Sequence, residues 1–179
     1  WVNELRNQNV QNIFILPAKP LVPPHIIESI FNAVGLKKPE SFLSIPYLSD
    51  QWRESLNLWI HPGSGADNKN MPFSFYRKIA EDWLQKNKAN HVTFSFGEAD
   101  QSVLDSYEFG NFINSERVQV VLPHSIDDYK KLLLRGVAAF WGNDSGPSHL
   151  AANLGIPTNV CFKSTNSAIW RPTGPRVRV

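Results

Sequence analysis

One regularity constrains this chain above all others: from Leu56 onward, short apolar runs alternate with helical patterns. Asn57 to His61 (NLWIH) is the first run and ends in Pro-Gly. Residues 72–87 then place Tyr76, Ile79, Ala80, Trp83 and Leu84 on one face at helical spacing. Residues 91–96 (HVTFSF) form the second run, stopped by Gly97. Residues 102–113 predict a helix weakened by Gly110. Residues 118–122 (VQVVL) are the third run. Ser125 opens the next helix as an N-cap, with acids in the first turn, and Gly136 closes it. Residues 137–141 are the fourth run, 147–154 the fourth helix with Gly155 at its end, and 158–162 (TNVCF) the fifth run. The runs read as continuously apolar, as strands buried on both faces must be. Five such strands joined by helices predict an α/β fold, a doubly wound parallel sheet.

Residues 1–55 read differently. Pro17, Pro20, Pro23, Pro24, Pro39 and Pro46 crowd there. Only residues 24–36 carry a helical pattern, with Ile26, Ile27, Ile30, Phe31 and Val34 apolar. The expected division is therefore a linker and helix over 1–55 and the sheet domain over 56–179. The first residue is Trp1, neither an initiator Met nor the start of a signal peptide. We expect a fragment whose N-terminal partner domain is missing.

In an open parallel sheet, ligands bind outside the carboxyl ends of the strands. The polar residues cluster there: His61 to Gly65, Gly97 to Asp100, Pro123 to Ser125, Asn143 to Gly146 and Lys163 to Thr165. The turn NDSGPSHLAA is the most informative. Ser145 or Ser148 can cap the helix, and Pro147 sits in its first turn, where it costs no hydrogen bond. Gly146 lets the backbone approach a ligand, so the amides of the helix start form an anion site. Asp144 would repel a phosphate that it faced; it accepts from sugar hydroxyls or holds the turn together. Lys69, in HPGSGADNKNMP, either reaches a diphosphate as a point charge or is a solvated surface lysine. His149 faces the ligand or caps a neighbouring loop. His61 reads as structural, its imidazole satisfied by backbone.

Several chemistries are excluded. A net charge of +2 is too small to argue for nucleic acid. The single cysteine, Cys161, allows no internal disulfide and fits a reducing compartment. No apolar run approaches the ~20 residues of a membrane span. The loop after the first strand fails as a P-loop, because Asn68 stands where a second glycine belongs and Asn70 follows Lys69. There is no GxSxG elbow, no GxGxxG fingerprint and no zinc-ligand spacing among His25, His61, His91, His124 and His149.

The order IHPGSG…K…P, FSFGEAD, WGNDSGPSHLAANLGIPTNVCF and IWRPTGP resembles the C-terminal half of glycosyltransferase family nine, the ADP-heptose:lipopolysaccharide heptosyltransferases and their relatives. The resemblance spans residues 22 to 175, with Ser145 where the family commonly has Thr. It implies the GT-B architecture of two Rossmann-like domains facing each other across a cleft. This chain would be the half that binds a nucleotide-diphosphate sugar, ADP-heptose in the first instance. It implies that Ser64, Gly65 and Lys69 touch the diphosphate, with Lys69 stabilising the leaving group. Asp144, Ser145, Gly146 and His149 would line the phosphate and sugar end. Asp100 would hold the ribose hydroxyls, with Glu98 and Gln101 as competitors. The catalytic base and the glycolipid or other glycan acceptor would belong to the missing domain, leaving this fragment inactive alone. No cofactor or bound metal is implied, in line with the lack of an Asp-x-Asp pair. A cytoplasmic bacterial location follows, at the inner membrane face if the chain makes peripheral contact there. The alternative is a non-catalytic nucleotide-sugar-binding module of the same fold.

Overall fold

The computed structural model of the chain describes residues 24–37, 51–112 and 115–179. Two compact units divide the chain, residues 1–42 with 168–170, and residues 43–167 with 171–179. In the first unit, helix α1 (Ile26–Ala33) starts where His25 accepts a hydrogen bond from the Ile27 amide. The connections around Pro17, Pro20, Pro23, Pro39 and Pro46 lie outside the described residues.

The second unit holds a six-stranded sheet in the order β3-β2-β1-β4-β5-β6, parallel throughout. The strands are β1 (Asn57–His61), β2 (His91–Ser95), β3 (Val118–Val121), β4 (Ala139–Asn143), β5 (Thr158–Cys161) and β6 (Val177–Arg178). The winding starts at β1, runs out to β3, then returns to β4 on the other side of β1. The order therefore reverses between β1 and β4, which is where such sheets open a crevice. The connecting helices are α2 (Phe73–Lys86), α3 (Gln101–Ser106), α4 (Ile126–Leu133) and α5 (Gly146–Asn153).

The five expected strands are present, and β6 is an addition. It is two residues long, follows Gly174, and pairs with β5 at Thr158 and Asn159. Too few residues carry it to leave a periodic signal. The helix expected over 102–113 is shorter. It ends at Ser106, and a separate 3₁₀ turn spans Gly110–Phe112; Ile113 lies outside the described residues. Packing explains the break. Tyr107 and Phe109 leave the helix to enter the core, with ring centres 4.5 Å (Phe73–Tyr107) and 5.2 Å (Phe94–Phe109) apart. Gly110 turns the chain at φ +48°.

The sheet has two dissimilar faces. Leu58, Ile60, Val92, Phe94 and Phe96 meet α2 and α3 in a core of aromatic rings. Trp59, Phe140, Tyr129, Leu133 and Ala151 form the other core, against α4 and α5. There α5 comes very close to β4: a Cβ on Gly142 would lie 2.7 Å from Ser148 Oγ. The Ser148 hydroxyl instead donates to Asn143 O at 2.7 Å. A glycine in the strand thus sets how near the helix start stands to the sheet edge.

Candidate functional site

The loops after β1, β2, β3 and β4 surround a cavity of about 390 Å³ at the carboxyl edge of the sheet. Ser64 and Gly65 come from the first loop, Glu98 and Asp100 from the second, His124 and Ser125 from the third, and Ser145 and Gly146 from the fourth.

Asn143, at the end of β4, bolts the first loop in place. It is fully buried. Its Oδ1 accepts from the Tyr76 hydroxyl at 2.7 Å and from the Met71 amide at 3.3 Å, while its Nδ2 donates to Pro62 O. Within the loop, Ser64 Oγ lies 2.6 Å from Asn70 Oδ1. Gly65 takes φ +67°, a conformation that glycine adopts without strain.

Asp144 and Lys69 form a pair beside the cavity. Lys69 Nζ lies 3.0 Å from Asp144 Oδ2, and the same carboxylate oxygen accepts from the Thr165 hydroxyl at 2.7 Å. Asp144 is buried, so this carboxylate joins the loops after β1 and β5. Of its two expected roles, holding the turn is the one this arrangement displays. Lys69 is neither in the cavity wall nor simply solvated, because its ammonium is turned toward Asp144.

The start of α5 departs from expectation. Ser145 stands at the N-cap position with φ −152° and ψ 161°, yet its hydroxyl makes no capping bond. Its hydroxyl contacts Ser148 Oγ at 3.5 Å, and Ser148 is committed to Asn143 O. Neither serine therefore caps the helix, and its first turn faces the cavity through Ser145, Gly146 and Pro147. An uncapped helix start carries partial positive charge and amide donors. His149, two residues beyond Pro147, is half-buried and does not line the cavity.

On the opposite wall, Asp100 is buried and lines the cavity. Its Oδ2 accepts from the Gly97 amide at 2.8 Å and lies 3.4 Å from His61 Nε2. A Cβ on Gly63 would overlap this carboxylate, so only glycine fits there. Glu98 shares the wall and is exposed. Gln101 turns away, donating to Asp105 at 2.8 Å.

His61 is part of the site rather than a strand end satisfied by backbone alone. Its Nδ1 lies 3.2 Å from Ser95 Oγ. Ser95 Oγ also accepts from Trp59 Nε1 at 2.8 Å and contacts the Tyr129 hydroxyl at 2.7 Å. A buried chain of polar groups thus runs from Trp59 and Tyr129 through Ser95 and His61 to Asp100. Burial lowers the His61 pKa to about 4, against the opposing pull of Asp100. Burial likewise raises the Tyr129 pKa, although its bonds to Ser95 and Trp59 work the other way. Tyr129 was not foreseen in the site. Its signal was its place four residues after Ser125, on the same helix face as that cap.

Among the described residues, no three His, Cys, Asp or Glu side chains gather as a metal site, and no helix is long and apolar enough to cross a membrane.

The model of Glycosyltransferase family 9 (heptosyltransferase) matches residues 34–179, well over half of the chain. No curated protein matches the chain significantly. Similar solved structures include the ADP-heptose lps heptosyltransferase II of E. coli, 20% identical, with a TM-score of 0.59 over 92% of this chain and 46% of that one. The glycosyl transferase family 9 protein of Veillonella parvula is 16% identical, with a TM-score of 0.64 over 89% of this chain and 50% of that one. The E. coli heptosyltransferase WaaC, solved with ADP, is 16% identical, with a TM-score of 0.55 over 85% of this chain and 47% of that one. The chain thus spans about half the length of the structures it matches. These likenesses establish the fold, that of one half of a GT-B heptosyltransferase.

Proposed function

The chain belongs to glycosyltransferase family 9, and on that premise we propose that its sheet domain, residues 56–179, is the donor-binding half of a heptosyltransferase-like enzyme. The donor is a nucleotide-diphosphate sugar, ADP-heptose in the first instance. The acceptor is a lipopolysaccharide core or a related glycan, at the cytoplasmic face of the inner membrane. One observation supports this reading most strongly: the uncapped start of α5 stands in the wall of a cavity that four strand-end loops share. Amides and a helix dipole aimed into such a space suit a phosphate.

The reaction breaks the bond between the sugar's anomeric carbon and the diphosphate, and forms one from that carbon to an acceptor hydroxyl. Negative charge grows on the departing diphosphate. Ser64, Gly65, Ser145 and Gly146 receive it, and Lys69 leaves Asp144 to neutralise it. Asp144, so released, accepts from hydroxyls of the sugar. Asp100, held from behind by His61 and Gly97, accepts from the ribose, with Glu98 beside it. His149 takes the sugar end of the site. The base that removes the acceptor's proton comes from residues outside this chain, which alone therefore turns nothing over. No protein-bound metal takes part in this reading.

Calorimetry of the chain with ADP, UDP and GDP tests it. ADP should bind weakly, because half of the cleft is absent, and in preference to the other two. No heat from any of the three at millimolar ligand overturns the donor site.

A further inference from the structure

The cavity rim is short of positive charge. Glu98 and Asp100 line the cavity, and among the described residues no lysine or arginine does. In the turns directly after β1, β4 and β5, residues 62–72, 144–145 and 162–166, Asp67 and Asp144 stand against Lys69 and Lys163, with Arg171 and Arg176 further along toward β6. The loop after β3 carries His124 and no acid or lysine. Lys69 lies 3.0 Å from Asp144 Oδ2, so that pair is formally neutral. A diphosphate brings a full negative charge on each phosphate into this surrounding. Moving Lys69 onto it uncovers the Asp144 carboxylate, and the rim as a whole gains nothing.

Lys163 stands differently. It follows β5 by two residues, and β5 runs beside β4 with Cys161 opposite Asn143. Its Nζ donates to Asn70 O at 3.2 Å. The side chain of that same Asn70 contacts Ser64 Oγ, in the cavity wall, and accepts from Asn143 Nδ2 at 3.3 Å. Lys163 is thus docked on the back of the loop that receives phosphate. It is exposed, and among the described residues no carboxylate pairs with it. Its ammonium is a compact point charge on a flexible four-carbon stem.

We infer that Lys163 is a second phosphate-binding cation of the donor site, approaching the diphosphate from the β5 side and supplying the charge that the Lys69–Asp144 pair cannot. This rests on the donor reading above. The geometry makes the contribution selective: Lys163 senses the phosphates and not the nucleoside.

The test is calorimetry with adenosine, AMP and ADP on the chain and on its Lys163→Ala and Lys163→Arg variants, at low and high ionic strength. Lys163→Ala should weaken ADP about tenfold, AMP less, and adenosine not at all, with Lys163→Arg recovering most of the loss. The gap between the parent and the alanine variant should shrink as salt rises. If the parent binds ADP and Lys163→Ala binds it equally well, Lys163 is a solvated surface lysine and the donor site stands without it. Equal losses for adenosine and ADP overturn the inference too, since they mark a structural role. If the parent binds none of the three ligands, the donor reading falls and Lys163 with it.

Discussion

The two faces of the central sheet are built on opposite principles. Beneath α2 and α3 the side chains are nearly all hydrocarbon. Phe94 is fully buried among Phe73, Phe109 and Phe112, with ring centres 5.2 to 6.3 Å apart. Beneath α4 the same two central strands present Trp59, His61, Thr93 and Ser95, which are hydrogen-bonded to one another or to their neighbours. Aromatic burial is non-directional and contributes stability wherever it occurs. Hydrogen-bonded groups in a low-dielectric interior contribute less net energy but fix orientation. The polar face ends at the cavity, and the apolar face does not. Both sides of the sheet carry a buried core, and the side with the polar chain also holds Asp100 in place.

The largest expected effect comes from the apolar face. Phe94→Ala should cost about 3–5 kcal/mol in urea unfolding, through lost burial and the cavity left behind. The folded fraction should bind ADP as before, because no ring of that cluster lines the site. A cost under about 1 kcal/mol, or a lost ligand in still-folded protein, breaks the contrast between the faces.

The polar face should announce itself through pH. His61 titrates near 4 in the folded chain and near 6.5 when unfolded. Between those values the unfolded chain binds a proton that the folded chain refuses, so stability falls as pH drops from 6.5 to 4. The loss should total roughly 3 kcal/mol and level off below pH 4. His61→Gln should flatten that part of the profile, while Phe94→Ala should shift the whole profile without changing its shape. A profile that keeps its slope in His61→Gln assigns the proton to another group.

Much of this plan was legible beforehand. Apolar runs located five strands, and the polar ends of four of them supply Ser64, Gly65, Asp100, Ser145 and Gly146 to the cavity, while Lys69, Asp144 and His149 do not line it. A buried strand can carry ligand-facing groups only where it leaves the core. The two faces were misread. HVTFSF looks continuously apolar, yet His91, Thr93 and Ser95 alternate with Val92, Phe94 and Phe96, and β1 alternates likewise. Serine and threonine are small enough to pass for filler in a buried run. That alternation was the signal of a polar network. The Lys69–Asp144 pair was not legible, since nothing local marks a contact made across 75 residues.

That pair sets the next prediction. Lys69→Ala should weaken ADP by about 1.5–3 kcal/mol and adenosine far less. It also leaves the buried Asp144 carboxylate with one partner fewer, so a smaller loss of stability should accompany it. Equal loss for both ligands makes the lysine a strut for the loop rather than a phosphate contact.

The smallest effect discriminates most finely, because it compares two serines in nearly the same backbone conformation. Ser125 opens α4 at φ −153° and ψ 165°, and its Oγ accepts from the Asp128 amide at 3.1 Å. Ser145 opens α5 at φ −152° and ψ 161°, and its Oγ makes no such bond. Ser125→Ala removes a working cap and should cost about 1 kcal/mol, a drop of some 2–4 °C in Tm for a domain of this size. Ser145→Ala removes a hydroxyl that caps nothing and should fall within about 0.5 kcal/mol of the parent. With ADP present the order should reverse, the alanine at 145 costing ligand affinity and the one at 125 costing little. Equal thermal costs without ligand would mean that Ser145 closes over its own helix in solution. The amides of α5 would then already be satisfied, and the cavity would have lost the feature that suits it to phosphate.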